Sequence, residues 1–181
     1  MDYRGTTARS RLAYHAMVAV YAVQDFLIRR HERALDGVGI RPGSVVVDYG
    51  CGPGRYLAKA SRLAGPSGRV FAADISEVAL RYASARVSRL GLANVTPLPI
   101  RGGRCAIPDA SADLVYAIDM FHAVRDPKAF LAEIHRFTKP RGTLILEDGH
   151  QARAVTRRKL LDAGGWRIES ETRWHLRCTR A

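Results

Sequence analysis

Apolar and polar positions along this chain fall into two rhythms that take turns. Over residues 13–35 the apolar side chains Val18, Ala22, Phe26 and Leu27 recur at helical spacing, which predicts one long helix. A loop carrying Gly37, Gly39, Pro42 and Gly43 follows, and then a β-branched run, Val45-Val46-Val47, predicts a buried strand. Beyond it the pattern alternates. Helical stretches are predicted at 56–63, 77–90, 127–137 and 152–163, with Ser76 as the N-cap of the second and Gly164-Gly165 ending the last. Strands are predicted from Arg69 to Asp74 and over 95–100, 112–118 and 142–147, the last entered through a Lys139-Pro140-Arg141-Gly142 turn. The tail, 166–179, reads as two strands with no helix between them, and such a hairpin forces the final strand to run antiparallel. The expected fold class is therefore α/β: a doubly wound, seven-stranded sheet, mostly parallel, with an antiparallel last strand.

The first strand runs into Asp48-Tyr49-Gly50-Cys51-Gly52-Pro53-Gly54. Glycines at alternate positions let a backbone turn sharply and approach a ligand with no Cβ in the way. Asp48 places a carboxylate at the carboxyl end of the strand, where open α/β sheets bind their ligands. A phosphate group would be repelled there, whereas an ammonium group would be attracted. Asp74 ends the next strand about twenty residues on, the place of a ribose-hydroxyl ligand in nucleoside-binding folds. The alternative for Asp74 is a helix cap. The alternative for the turn is the dinucleotide fingerprint Gly-x-Gly-x-x-Gly, which fits less well because Arg55 stands where its third glycine belongs.

The acid-x-Gly-x-Gly-x-Gly run resembles motif I of the class I S-adenosylmethionine-dependent methyltransferases, in their small-molecule, type 11-like branch. Ile107-Pro108-Asp109-Ala110-Ser111-Ala112-Asp113-Leu114-Val115 is similar to that family's loop into strand four. The stretch from Asp126-Pro127 to Thr143-Leu144 is similar to its next helix and the turn into strand five. The likeness runs from Val38 to the C-terminus in the family's order. It implies a Rossmann-like core that binds S-adenosylmethionine through Asp48, Tyr49, Gly50, Cys51, Gly52, Gly54, Asp74, Ile75, Arg101, Gly102 and Asp119. One position departs from the pattern. Where relatives carry an Asp that accepts the adenine amino proton, this chain has Arg101, a side chain with donors and no acceptor. Backbone groups at Gly102 or Gly103, stacking of Arg101 on the ring, weak cofactor binding, or an Arg101 that faces solvent would each follow from that change, and a non-catalytic cofactor-binding relative is the alternative to a methyltransferase that it raises.

Methyl transfer from a sulfonium asks the protein mainly to orient the partners, so a catalytic residue is not required. The candidates are Asp119, Phe121 and His122 at the end of strand four and His150 just past strand five. His122 as a structural histidine, and Asp148 as a helix N-cap beside His150, are the alternatives.

Composition narrows the partners. The 181 residues, 47% of them hydrophobic, suit one domain, with residues 1–36 a helical cap and 37–181 the Rossmann-like core. The net charge of +12 is carried mostly by Arg spread along the whole chain rather than clustered, so RNA is the less favoured partner and a small-molecule acceptor the favoured one. Motifs of base-, glutamine-, cytosine- and ribose-methylating enzymes are absent. No apolar run reaches the roughly 20 residues of a membrane span. Cys51, Cys105 and Cys178 lack metal-type spacing, so no metal is expected, and a reducing cytoplasm is the simplest location. No long insertion follows strand five to build a lid. Only the N-terminal helix, with Tyr14, His15 and Tyr21, is left to cover the site, which leaves the acceptor pocket open or closed by a second copy in a homodimer.

Overall fold

Val46 and Val47 are adjacent, point to opposite faces of their strand, and are both fully buried, which requires packing on both sides of the sheet. The computed structural model, which describes residues 12–20 and 30–181, has that arrangement. After a helix at 12–20 (α1) and a 3-10 turn at Arg30–Leu35, the elements are β1 (Val45–Tyr49), α2 (Leu57–Ala64), β2 (Arg69–Asp74), α3 (Glu77–Leu90), β3 (Val95–Pro99) and β4 (Ala112–Ala117). A 3-10 turn at Phe121–Ala123 leads to α4 (Pro127–Phe137), β5 (Thr138–Glu147), α5 (Arg153–Ala163), β6 (Trp166–Glu171) and β7 (His175–Arg180). The seven strands lie in the order β3-β2-β1-β4-β5-β7-β6, and only β7 runs antiparallel to its neighbours. Among the described residues no helix is long and apolar enough to cross a membrane.

Two cores sandwich the sheet. Val46, Val70, Ala72, Leu114 and Tyr116 face α2 and α3, where Leu57, Ala60 and Ala83 are buried. Val47, Tyr49, Val115, Leu144 and Leu176 face Leu131, Ile134 and Phe137 of α4 and Leu160 of α5. Helix starts follow their caps: Ser76 accepts from the Ala79 amide (3.3 Å) and Asp126 from the Ala129 amide (2.9 Å). Pro97 and Pro99 fall on β3, at one edge of the sheet, where a missing amide donor is tolerated.

Three expectations need correction. The predicted helix over 13–35 is described as α-helix only at 12–20; its end, Arg30–Leu35, is a tighter 3-10 turn that drives Leu35 into the core before Gly37. Residues 21–29, including Tyr21, Ala22, Phe26 and Leu27, lie outside the described residues. The Lys139–Gly142 turn is part of a longer β5, because Thr138 already pairs with Ala112 and the intervening residues form a bulge in the β4–β5 ladder. Gly142 is required there, since a Cβ would come within 2.9 Å of the Ala112 carbonyl. Asp148 does not cap α5, whose N-cap is Ala152; it pairs with Arg153 instead (2.7 Å).

A buried polar network pins the loop between β3 and β4. Glu133 of α4 accepts from the Cys105 amide (3.0 Å) and from Arg136 Nε (2.9 Å) and Nη2 (2.7 Å). Arg136 in turn donates to the carbonyls of Cys105 (3.1 Å) and Ile107 (2.8 Å) and pairs with Asp109. Arg136→Met would leave the Glu133 carboxylate buried without its cation, and urea unfolding should show a loss of about 3 kcal/mol. An unchanged midpoint would mean that the network does not hold the loop.

Candidate cofactor and acceptor site

The turn after β1 keeps its amides to itself. The Gly50 and Cys51 N–H groups both donate to the Ala73 carbonyl of β2 (2.8 and 3.0 Å). Gly52 N–H donates to Asp74 Oδ2 (2.8 Å), Pro53 has no N–H, and Gly54 N–H donates to the Cys51 carbonyl (3.0 Å). A pyrophosphate cradle needs free amides aimed outward, so this turn does not fit a dinucleotide. Its exposed chemistry is that of acceptors. Gly50 and Gly54 have φ of +89° and +79°, and a Cβ on Gly50 would collide with the Met120 side chain at 2.9 Å.

Asp74 is more than either alternative weighed for it. Ser76 is the cap of α3, while Asp74 clasps two loops together, Oδ2 on the Gly52 amide and Oδ1 on the Ser76 amide (2.8 Å). Ile75 adds a further backbone hydrogen bond to this carboxylate, which keeps acceptor capacity for a ligand hydroxyl.

Asp48 is buried on the α2–α3 face, in register with Tyr116 of β4. Its Oδ2 and the Tyr116 hydroxyl both lack a hydrogen bond of standard geometry. Burial raises the Asp48 carboxyl from 3.8 to about 8; the nearby Tyr116 hydroxyl opposes the shift and Asp74 adds to it. A buried carboxyl relieved only in part by the Tyr116 hydroxyl, beside a turn whose amides are engaged, suits a cationic ligand group. An amino-acid ammonium such as that of S-adenosylmethionine fits this donor-poor setting.

The remaining cofactor candidates divide by face. Tyr49 packs its ring 5.3 and 5.7 Å from Phe130 and Phe137 in the opposite core, and the Cys51 thiol is buried, donating to the Gly52 carbonyl (3.6 Å). Both can meet a ligand only through backbone. Ile75 is exposed and lines a groove of about 390 Å³ with Ile100, Arg101, Glu77 and Arg81. Arg101 and Arg104 exchange backbone hydrogen bonds (2.8 and 3.0 Å), which leaves Gly102 and Gly103 at the tip of a tight turn with positive φ. From α1, Tyr14 packs on Val78 and Ala79, and its hydroxyl lies 3.8 Å from where a Gly52 Cβ would sit.

Strands β4 and β5 bring a second group together. Asp119 is a non-glycine residue with φ +54°, a strained backbone of the kind found at functional sites. Its amide donates to Glu147 Oε2 (2.7 Å), and its Oδ1 lies 3.6 Å from His150 Nε2. The His122 and His150 rings meet edge-to-face with centroids 4.8 Å apart. Burial pushes the His122 imidazole below its usual value, with His150 and Lys159 adding and Asp119 opposing. Burial also pushes Glu147 up, against the Asp119 amide that lowers it. Tyr116, Met120, Glu77 and Arg81 escaped the sequence reading. For Tyr116 a signal existed, since it shares the facing of Leu114 in a strand next to β1; for the others only the folded contacts reveal the role.

This strand order, the antiparallel β7 and the acid-glycine turn at the end of β1 define the class I S-adenosylmethionine-dependent methyltransferase. Residues 40–172 match the family model described as methyltransferase domain, and the chain belongs to that family. It is similar to the ubiquinone/menaquinone biosynthesis C-methyltransferase UbiE of Pasteurella multocida, 34% identical over 113 residues, covering 62% of this chain and 42% of the relative. The UbiE of Psychromonas ingrahamii is 30% identical over 140 residues, covering 74% and 56%. The chain thus spans about half the length of these curated relatives. A crystal structure of a SAM-dependent methyltransferase from Aquifex aeolicus is 28% identical, with a TM-score of 0.72, covering 82% of this chain and 86% of that one.

The raised Asp48 carboxyl has a stability consequence. Between 3.8 and about 8 the folded state holds a proton that the unfolded chain has released, so stability falls as pH rises through that window. Asp48→Asn removes the titration. Thermal melts should place the variant above the parent at pH 8 and level with it near about pH 4, while titration calorimetry shows loss of S-adenosylhomocysteine binding. A variant that melts below the parent at pH 8 would contradict the assignment.

Proposed function

We propose that this chain transfers a methyl group from S-adenosylmethionine to a small-molecule acceptor. The observation that carries the reading is the fully buried Asp48 carboxyl, met by the Tyr116 hydroxyl and, among the described residues, by no cation, beside a turn whose amides are all engaged. S-adenosylmethionine supplies an electrophilic methyl group on a sulfonium together with its own leaving group. Asp48 accepts from the ammonium end, and Asp74, already fixed by backbone amides, accepts from ribose hydroxyls with its remaining acceptor capacity. Gly50, Gly52 and Gly54 let the backbone, including the peptide groups of Tyr49 and Cys51, come close to the ligand. Ile75 and Ile100 give the groove apolar walls for a purine, and the Arg101 guanidinium and the turn at Gly102 border it. Asp119 stands at the methyl end.

The acceptor is argued from two sides. The relatives named as quinone C-methyltransferases support a small aromatic molecule. The Tyr56 phenol is pushed up chiefly by burial, with Arg55 opposing and Glu147, Asp48 and Asp119 adding, so basic and acidic groups both border this mouth. Arginines spread along the whole chain rather than gathered in one stretch weigh against RNA. Within the same proposal, the segment 1–36 caps the core 37–181, supported by Tyr14 on α3; a homodimer would complete the cover, and the setting is the cytoplasm.

Titration calorimetry with S-adenosylmethionine, S-adenosylhomocysteine and NAD tests the reading. Micromolar binding of both sulfur nucleosides, none of NAD, and loss of binding in Asp74→Ala are expected. Failure of both sulfur nucleosides to bind would end the proposal.

A further inference from the structure

The sequence offers both His122 and His150 as candidates for handling protons; their surroundings in the structure distinguish them. His122 Nδ1 is buried against Gly149 without a hydrogen-bond partner, so close that a Cβ on Gly149 would overlap it. His150 has a side chain 79% exposed at the mouth, with a carboxylate at one ring nitrogen. We infer that His150, oriented by Asp119, is a general base for the acceptor, and that the acceptor is a weakly acidic hydroxyl compound of the phenol or hydroquinol class. This rests on the methyl-transfer reading above.

The arrangement follows from how the two strand ends are built. The Asp119 backbone is held by its positive φ and by its amide on Glu147 Oε2, and its Oδ1 lies 3.6 Å from His150 Nε2. A carboxylate at Nε2 favours the tautomer with hydrogen on Nε2 and leaves the Nδ1 lone pair to accept a proton. Contacts of this kind are commonly long in a free enzyme and tighten around substrate. His122, edge-on to the His150 ring, is a positioning residue that holds the imidazole from the other side. The next residue after Asp119, Met120, packs on Gly50, so the pair stands beside the turn assigned to the cofactor. The charged and titratable groups around it are Asp119 just past β4, Glu147 at the end of β5 with Asp148 after it, His122, and Lys159 from α5; Arg153 neutralises Asp148.

A positioned base narrows the acceptor. A neutral amine needs no prior deprotonation, and a carboxylic acid is already ionised at neutral pH. A phenolic hydroxyl is protonated at neutral pH and strongly nucleophilic once ionised. Its proton passes to His150 Nδ1. An electron pair from the oxygen, or from a ring carbon conjugated with it, forms the bond to the methyl carbon as the methyl–sulfur bond breaks, with its pair left on sulfur as a neutral thioether. For attack through carbon, the ring hydrogen leaves as a second proton when the hydroxyl reforms by taking one back, so one proton is released overall. The imidazolium then returns its proton to water.

The test uses phenol, hydroquinone and 4-nitrophenol as methyl acceptors with S-adenosylmethionine at pH 8. His150→Asn should lower the rate on the order of 100-fold for the two acceptors that are protonated at that pH, and little for 4-nitrophenol, which is already ionised. The affinity of this variant for S-adenosylhomocysteine should equal the parent's. Asp119→Asn should share the selective loss and also move the nitrogen-15 shifts of His150 away from the Nε2–H tautomer, which a merely structural aspartate would not do. Equal rates for His150→Asn and parent across the series, or a loss as large for 4-nitrophenol as for phenol, would overturn the base. No methylation of any of the three by a protein that binds S-adenosylhomocysteine would overturn the acceptor class and leave the cofactor reading standing. Loss of nucleoside binding by the parent would instead remove the reading beneath both.

Discussion

The Asp74 carboxylate joins two loops that would otherwise be independent. One oxygen takes the Gly52 amide of the turn after β1, and the other takes the Ser76 amide at the start of α3. Together with the bonds from Gly50 and Cys51 to the Ala73 carbonyl, this clasp leaves the turn facing outward with carbonyls and carboxylates alone. A nucleotide-binding fold is thereby given the opposite polarity to a phosphate cradle, although glycine spacing and strand order look much the same in both. The ligand class is set by where a few amide hydrogens point.

The same logic explains why a costly group is buried at the end of β1. A carboxyl raised to about 8 is a liability for the free protein near neutral pH. It is retained where a cation would compensate it, and the surrounding core relieves it only in part: the Tyr116 hydroxyl beside it opposes the shift, and the Cys51 thiol is engaged elsewhere. Of the two non-glycine residues with positive φ among the described residues, Ala110 lies in the loop before β4 and Asp119 at the site. The positive φ of Asp119 lies at the mouth, whereas the glycines absorb the positive φ values of the turn itself.

Much of this could be read from residue order. The β-branched run, the cap at Ser76 and the hairpin tail specify the sheet and its antiparallel strand, because each rests on short-range chemistry that tertiary packing reinforces. Places where packing overrides local preference were not legible. Residues Lys139–Gly142 have turn composition yet extend β5, since Thr138 finds a partner in Ala112. At the site, Asp48 and the glycines announce themselves by spacing. The order of importance of His122 and His150 does not, because it depends on Gly149 passing against one ring and Asp119 reaching the other. The Glu133–Arg136 network, which anchors the loop bearing Arg101, is invisible in sequence for the same reason: its partners are carbonyls and amides of a distant loop.

The prolines of β3 have a further consequence at the margin of the sheet. Ile100 N–H points inward to the Asp74 carbonyl, so by the alternation of a strand the amides at positions 97 and 99 would point outward. Both are proline, and the outer rim of β3 is stripped of two donors in a row. No further strand, whether from a neighbouring copy or a misfolded chain, can hydrogen-bond along this rim in register. The opposite rim, β6, carries exposed Arg167, Glu169 and Glu171. A sheet seven strands wide is thus closed to sideways growth by missing hydrogens at one border and by charge at the other, which keeps a hydrophobic, strand-rich chain from polymerising edge to edge.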